Sequence, residues 1–578
     1  MLYFIAVWVL LLIICGVIGT GILNGFQITC FERPGDRWIV AEWLGIVVLA
    51  IALLATAIVV PLSPLIGLLI AASLCLLSLC SPQTQIELAV FWQHLTLKRL
   101  LGGLGFAIAI AAITSQPVTW IDTGLYHYNL IQWLAKFGTV PGLSLVLSNL
   151  GFTSSWFALA APLNPELLGS RAIAVTNGFI YWVATLHFVT SAITILRGKG
   201  QLSEWFITFF WLMVLPVCLG YRLMAEILIS PSPDLPNFLL VGVVSWAMLV
   251  IACKSPSSKA SRSALVSDRI VPLILAVGAV SIKLTAMPLL LVSGFFFITD
   301  RRLTMPGIAL GLGVVVGLLL PLLLSGTLTS GCPLYPSTIV CFDLPWSRPL
   351  EHIRSVAEKT HNWTTWYGTP PDGGNRWLWL FWKWFETDAP NKAIAFLTAL
   401  SALLSIYLGA IVHHKQSGGI IWVMAIAISG IIFFLLTAPF IRFVFPYLTL
   451  LPALTGVIYS TGHQSVFQRI QGFTYDHTRK IARLFPVFLL FLATLVTASN
   501  LRYDYSRLLL PPSLREVVVI KKQVNGIDFL SPAGEDELCW GTRIPCAFEI
   551  NQNVGLRDPR QGIQGGFIWK QREIIPDT

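Results

Sequence analysis

One acid opens the stretch of this chain best suited to chemistry. The run Trp120-Ile-Asp122-Thr-Gly-Leu-Tyr126-His127-Tyr128-Asn-Leu-Ile-Gln132-Trp133 places a carboxylate just beyond an apolar segment and just ahead of an amphipathic one. A carboxylate there suits a catalytic base at a membrane surface, where it would take the proton of a hydroxyl group. An Asp before Thr-Gly also reads as a plain helix N-cap, with no chemistry attached. Tyr126, His127 and Tyr128 are candidate substrate contacts, or else packing residues. Leu125, Tyr128, Leu130, Ile131 and Leu134 form an apolar stripe, which predicts a segment lying flat in the membrane interface.

Two cations invite a complementary anion. Lys283, in Val280-Ser-Ile-Lys283-Leu-Thr285, is an ammonium between apolar segments, where an unpaired charge costs at least about 2.5 kcal/mol. A lipid-linked phosphate would compensate it, with Ser281 and Thr285 as donors; the alternative is snorkelling to the interface. Arg442, at the end of another apolar run, carries a planar fork that suits phosphate better than an ammonium does. Arg222 and Glu226 share one helix face inside an expected span and are expected to pair, while Arg171 and His187 are open to either reading. Tyr335 precedes a series of tryptophans, Trp346, Trp363, Trp366, Trp377, Trp379, Trp382 and Trp384. Such rings stack on sugars, and they also crowd membrane interfaces.

The elements that must hold these residues are transmembrane. The chain has 578 residues, 55% of them hydrophobic and 11% charged, with a mean hydropathy of +0.75. That balance implies a membrane solvent. Spans are expected at 1–23, 43–60, 62–80, 100–114, 169–196, 203–228, 238–253, 270–283, 284–298, 306–326, 393–412, 420–437, 443–460 and 484–498, about fourteen crossings. The pair around Lys283 reads equally as a re-entrant or tilted hairpin. The first segment lacks a basic start or clear cleavage site and is read as retained.

The formal charge of +10 is dispersed in short loops, which fits topogenic signals and excludes a nucleic-acid stripe. Lys98-Arg99, Arg197 to Lys199, Lys254 to Arg269, Arg301-Arg302, His413 to Lys415 and Arg469 to Arg483 then remain cytoplasmic. The opposite face receives loops 115–168 and 327–391, the tail after Asn500 and, on the weaker support of Arg33 and Arg37, the N-terminus. Four cysteines fall in those outer segments, and the pairs Cys332/Cys341 and Cys539/Cys546 could each close a short bridge. No carboxylate cluster surrounds Asp122 in sequence and no cysteine pair has zinc spacing, so no cofactor is expected, and a divalent metal stays open but without support. No inverted duplication of the transporter kind is visible.

Several strings carry a resemblance. Asp122-Thr-Gly-Leu-Tyr126-His127-Tyr128 with Val140-Pro-Gly142, Gly151-Phe-Thr-Ser-Ser-Trp156-Phe157, Ser330-Gly-Cys-Pro-Leu-Tyr335-Pro-Ser337, and Cys539-Trp540 with Pro545-Cys546 and Gly565-Gly566-Phe567 resemble a family of bacterial multispanning proteins. The layout of that family looks like the GT-C glycosyltransferases. The resemblance implies an all-α, polytopic helix bundle over residues 1–498 and a small extracytoplasmic cap over 499–578, in a bacterial inner membrane. It implies a sugar moved from a polyprenyl-phosphate donor to a glycan or other hydroxyl acceptor outside. Asp122 would then be catalytic, Lys283 and Arg442 would hold the donor phosphate, and Tyr126, His127, Tyr128 and Tyr335 would bind substrate. Asp122 departs from the pattern in standing alone, where many GT-C enzymes carry two adjacent acids or place this loop after the first span. The competing readings are a transporter or flippase, with Arg222, Glu226 and Lys283 along a midplane path, and a noncatalytic assembly factor.

Overall fold

The computed structural model describes residues 1–253, 268–300, 303–370, 374–415, 418–462, 505–534 and 537–570, with parts of 491–498. Among the described residues ten helices are long and apolar enough to cross a membrane: Leu2–Gly25, Pro34–Ala57, Leu97–Thr114, Val175–Leu196, Leu202–Gly220, Asp234–Cys253, Met305–Ser330, Ala389–Ile411, Gly418–Thr437 and Ile441–Ser460. An eleventh is added if the bent pair Pro64–Leu79 and Pro82–His94 counts as one span. The protein is therefore a multi-pass helical membrane protein.

Among the described residues this is fewer than the fourteen crossings expected, for local reasons. The helices Ile270–Ile282 and Met287–Ile298 are separated by Lys283 in an extended conformation and pack against each other as a hairpin. A helix of that length covers roughly 20 Å of a hydrocarbon core about 30 Å thick, so neither half crosses alone. The run expected as 62–80 turns by 101° into a second helix. The run expected as 203–228 breaks at Tyr221, after Leu202–Gly220, and resumes as the short helix Arg222–Leu228. The expected span 484–498 and basic loop Arg469 to Arg483 lie largely outside the described residues, as does most of Lys254 to Arg269 and all of Arg301-Arg302.

Helices apolar on every side must be sorted by shape, since lipid tails compete equally for their side chains. Asp234–Cys253 and Pro34–Ala57 are the most enclosed, whereas Met305–Ser330 and Ala389–Ile411 turn most of their surface outward. The N-terminal pair packs backbone against backbone. A Cβ on Gly19 would stand 1.7 Å from the Ala41 carbonyl oxygen, and one on Gly45 would stand 1.9 Å from that of Cys15. Arg33 pairs with Glu204 at 2.7 Å, and Arg37 pairs with Glu87 and donates to Asn24 Oδ1 at 2.8 Å. Both arginines are thus neutralised within the protein.

The expected outer loops and the tail fold together at one end. Loop 115–168 is a chain of short helices, and its Tyr128–Lys136 helix is buried through Tyr128, Leu130, Ile131, Trp133 and Leu134. That corrects the expectation of an interfacial helix, because the apolar stripe faces protein. The tail adds two antiparallel hairpins, Val519–Val524 with Ile527–Pro532 and Val554–Leu556 with Phe567–Trp569. The first closes on Asn525-Gly526, both at positive φ, the signature of a type I′ turn. Disulfides join Cys332 to Cys341 and Cys539 to Cys546, as their spacing allowed. The tail touches both loops: the Phe567 amide donates to Pro141 O at 2.9 Å and the Trp569 amide to Pro345 O at 3.1 Å.

Candidate functional site

Four helix ends converge on one constellation of charge. Asp122 begins the turn after Leu97–Thr114, Asp234 begins Asp234–Cys253, Lys283 breaks the short hairpin, and Arg442 lies in the first turn of the helix from Ile441. Arg442 Nη1 stands 3.4 Å from Asp122 Oδ2 and 3.7 Å from Asp234 Oδ2. Lys283 Nζ forms an ion pair with Asp234 Oδ1. Two acids and two bases thus balance in charge, which relieves the cost of placing each in apolar surroundings.

Aromatic faces support the cations from the other side. The Lys283 ammonium lies 4.3 Å from the centre of the Phe443 ring, and the Arg442 guanidinium lies 4.8 Å from Phe443 and 5.1 Å from Trp120. A ring face attracts a cation without competing for its hydrogen-bond donors. A small cleft opens beside the cluster, lined by Asp234, Asn237, Lys283, Thr285, Arg442 and Tyr447 among others. Asn237 donates to the Lys283 carbonyl at 3.2 Å, while its own Oδ1 is buried without a partner.

The two acids are not equivalent. The Asp234 side chain keeps 2% of its surface and faces both cations, so protonating it would strand charge. Asp122 keeps 23% and has one contact, at the long end of hydrogen-bond range. Burial raises the Asp122 carboxyl above the usual carboxylate range, and Arg442 opposes this only in part. A partly exposed acid with a raised pKa is the better proton acceptor of the two. Asp122 is also not an N-cap. Its φ of −62° and ψ of −22° are helical, and its side chain makes no capping hydrogen bond.

The structure brings together three of the expected site residues, Asp122, Lys283 and Arg442, and sets two behind them. The π-helical turn Thr123–His127 follows Asp122, and such turns recur at functional sites. Tyr126 lies edge-on to His127, their ring centres 4.4 Å apart, and His127 packs 5.2 Å from Phe157. Burial lowers the His127 pKa to about 3, so its ring is neutral, and Nδ1 has no partner. Tyr126 is raised well above a free phenol by burial and then by the fields of Asp122 and Asp234.

Tyr128 and Tyr335 stand elsewhere. Tyr128 is buried where the field of Glu166 reaches it. Tyr335 donates to Ser148 O at 2.9 Å and packs on Phe152, beside the Cys332–Cys341 bridge. Neither makes a described contact with the four charges. Arg222 does pair with Glu226, at 3.0 Å, on the short helix Arg222–Leu228, where Arg222 is exposed and Glu226 is not. His187 is enclosed between Trp211 and Trp246. The tryptophans divide: Trp363 and Trp384 are buried, while Trp377 and Trp382 are exposed.

Asp234 is the residue that sequence reasoning missed. Its signal was indirect: an ammonium at Lys283 required an anion, and Asp234 is the acid at the start of a neighbouring span. Among the described residues no group of three or more His, Cys, Asp or Glu side chains could hold a metal ion. A family model described as a domain of unknown function (DUF8201) matches residues 1–449. No curated protein and no solved structure matches the chain.

Proposed function

The chain belongs to the DUF8201 family, a domain of unknown function, and from that premise we propose that it is a membrane glycosyltransferase acting on a polyprenyl-phosphate sugar. The supporting observation is the contact of a half-buried Asp122 with Arg442, which in turn lines a cleft together with Lys283 and Asp234. A lipid phosphodiester would bring its charge to the two cations, with its chain left in the apolar surroundings. The acceptor hydroxyl gives its proton to Asp122 while its oxygen attacks the anomeric carbon from the face opposite the phosphate. The bond from that carbon to the phosphate oxygen breaks, and its electron pair leaves on the phosphate, so the anomeric configuration inverts. Arg442 and Lys283 stabilise the added negative charge, an effect enlarged where water is scarce. Asp234 holds both cations in place.

The two disulfides lie at the same end of the bundle as Asp122, which supports an extracytoplasmic site because such bridges persist in oxidising compartments. The test is transfer of a radiolabelled sugar from a synthetic polyprenyl phosphate in membranes holding wild type or Asp122→Asn. Transfer by the wild type alone, at equal membrane insertion, supports the proposal. Equal transfer by both, or substrate flux without transfer, sinks it.

A further inference from the structure

The turn that carries Asp122 has one described side-chain anchor, the 3.4 Å contact of Asp122 with Arg442. Its acid makes no cap hydrogen bond, and residues Thr123–His127 follow a π-helical path, which is intrinsically less regular than an α-helix. Further contacts on the turn and on the helix that follows it come from the tail. The Trp540 amide donates to Gly124 O at 3.1 Å. Asn129 Nδ2 donates to Cys546 O at 3.1 Å, and Gln132 Nε2 donates to Thr542 O at 3.0 Å. The Trp540 indole fills the space left by the missing side chain of Gly124, where a Cβ would stand 2.6 Å from the ring.

These contacts all come from one covalently closed loop, Cys539–Cys546. The loop is tied in turn to the tail hairpin, since the Leu530 amide donates to Pro545 O at 3.0 Å and the Ala547 amide to Leu530 O at 3.1 Å. Trp540 itself sits at φ +40°, a conformation that a bulky side chain adopts only when its surroundings compel it. Nearby contacts therefore override the backbone preference of the residue that covers Gly124.

We infer that the disulfide-closed loop Cys539–Cys546 is a clamp on the Asp122–His127 turn, with Trp540 as its positioning residue. Trp540 acts through Gly124 and the backbone, not on a substrate. The inference concerns how the acid is held, and it stands whether or not the protein transfers sugars. It assigns the tail a task in the site.

The test is hydrogen exchange on the full-length protein in lipid nanodiscs, comparing residues 120–134 with the enclosed helix at 234–253. Trp540→Ala and the double variant Cys539→Ser/Cys546→Ser should speed exchange at 120–134 by about tenfold or more and leave 234–253 unchanged. Trp540→Phe, which keeps a ring over Gly124, should restore most of the protection. Should the variants fail to fold, reductant added to folded protein should produce the same local change, with Cys332→Ser/Cys341→Ser as the control for the other bridge. Unchanged exchange at 120–134, or equal acceleration of both segments, would overturn the inference.

Discussion

At the scale of single residues, Asp122 and Asp234 should fail in different ways. Asp122→Asn keeps the shape but removes the proton acceptor, and transfer should fall by about 10²- to 10⁴-fold with little change in thermal stability. Asp234→Asn leaves Lys283 and Arg442 without their shared counter-ion. It should cost about 3 kcal/mol of stability, read as a lower unfolding temperature of the purified protein. A base works only when ionised, and burial holds the Asp122 carboxyl above its ordinary range. The rate should therefore fall on acidification at a higher pH than for a free aspartate. Because Arg442 opposes that shift, Arg442→Gln should move the acidic limb to still higher pH. A limb that stays in place in that variant would mean another group sets it. Asp122, Lys283 and Arg442 were legible because charge is costly and hence conspicuous in an apolar sequence. Asp234 was not, since an acid at a span boundary looks like an ordinary helix start. That Tyr128 and Tyr335 stand apart from the four charges was not legible, because nothing in their neighbours' identities reveals which way a ring points.

At the scale of elements, the most exacting contact lies between Leu2–Gly25 and Pro34–Ala57. Gly19→Ala or Gly45→Ala would drive a methyl group into a carbonyl and push the helices apart, at a cost of about 1–3 kcal/mol or more. Thermal unfolding measured against Gly313→Ala, where a Cβ meets nothing within 4 Å, checks this. Helices as long as the bilayer is thick were readable from hydropathy alone. Breaks were harder: the hairpin at Lys283 and the stop at Tyr221 depend on which polar groups lie opposite, and hydropathy does not record that. The Asn525-Gly526 turn shows the reverse case, in which a strong local signal marks a hairpin inside a tail that otherwise reads as loop.

At the scale of the whole molecule, charge bias and disulfides agree on one orientation. Single cysteines introduced in the 331–388 loop or the tail of a variant lacking its free thiols should react with a membrane-impermeant maleimide on intact cells, and one at Arg197 should not. Labelling of Arg197→Cys alone would invert the topology and remove the extracytoplasmic site. The bundle was legible in outline, but the partnership of loop and tail was not, because contacts between residues as far apart as Asn129 and Cys546, 417 positions along the chain, leave no periodic trace. That distance sets a timetable for biosynthesis. The spans that surround the cleft emerge from the ribosome before Trp540, and the turn bearing Asp122 waits uncovered until the loop Cys539–Cys546 has been made and closed. A chain truncated before Trp540 should therefore insert normally yet leave that turn uncovered.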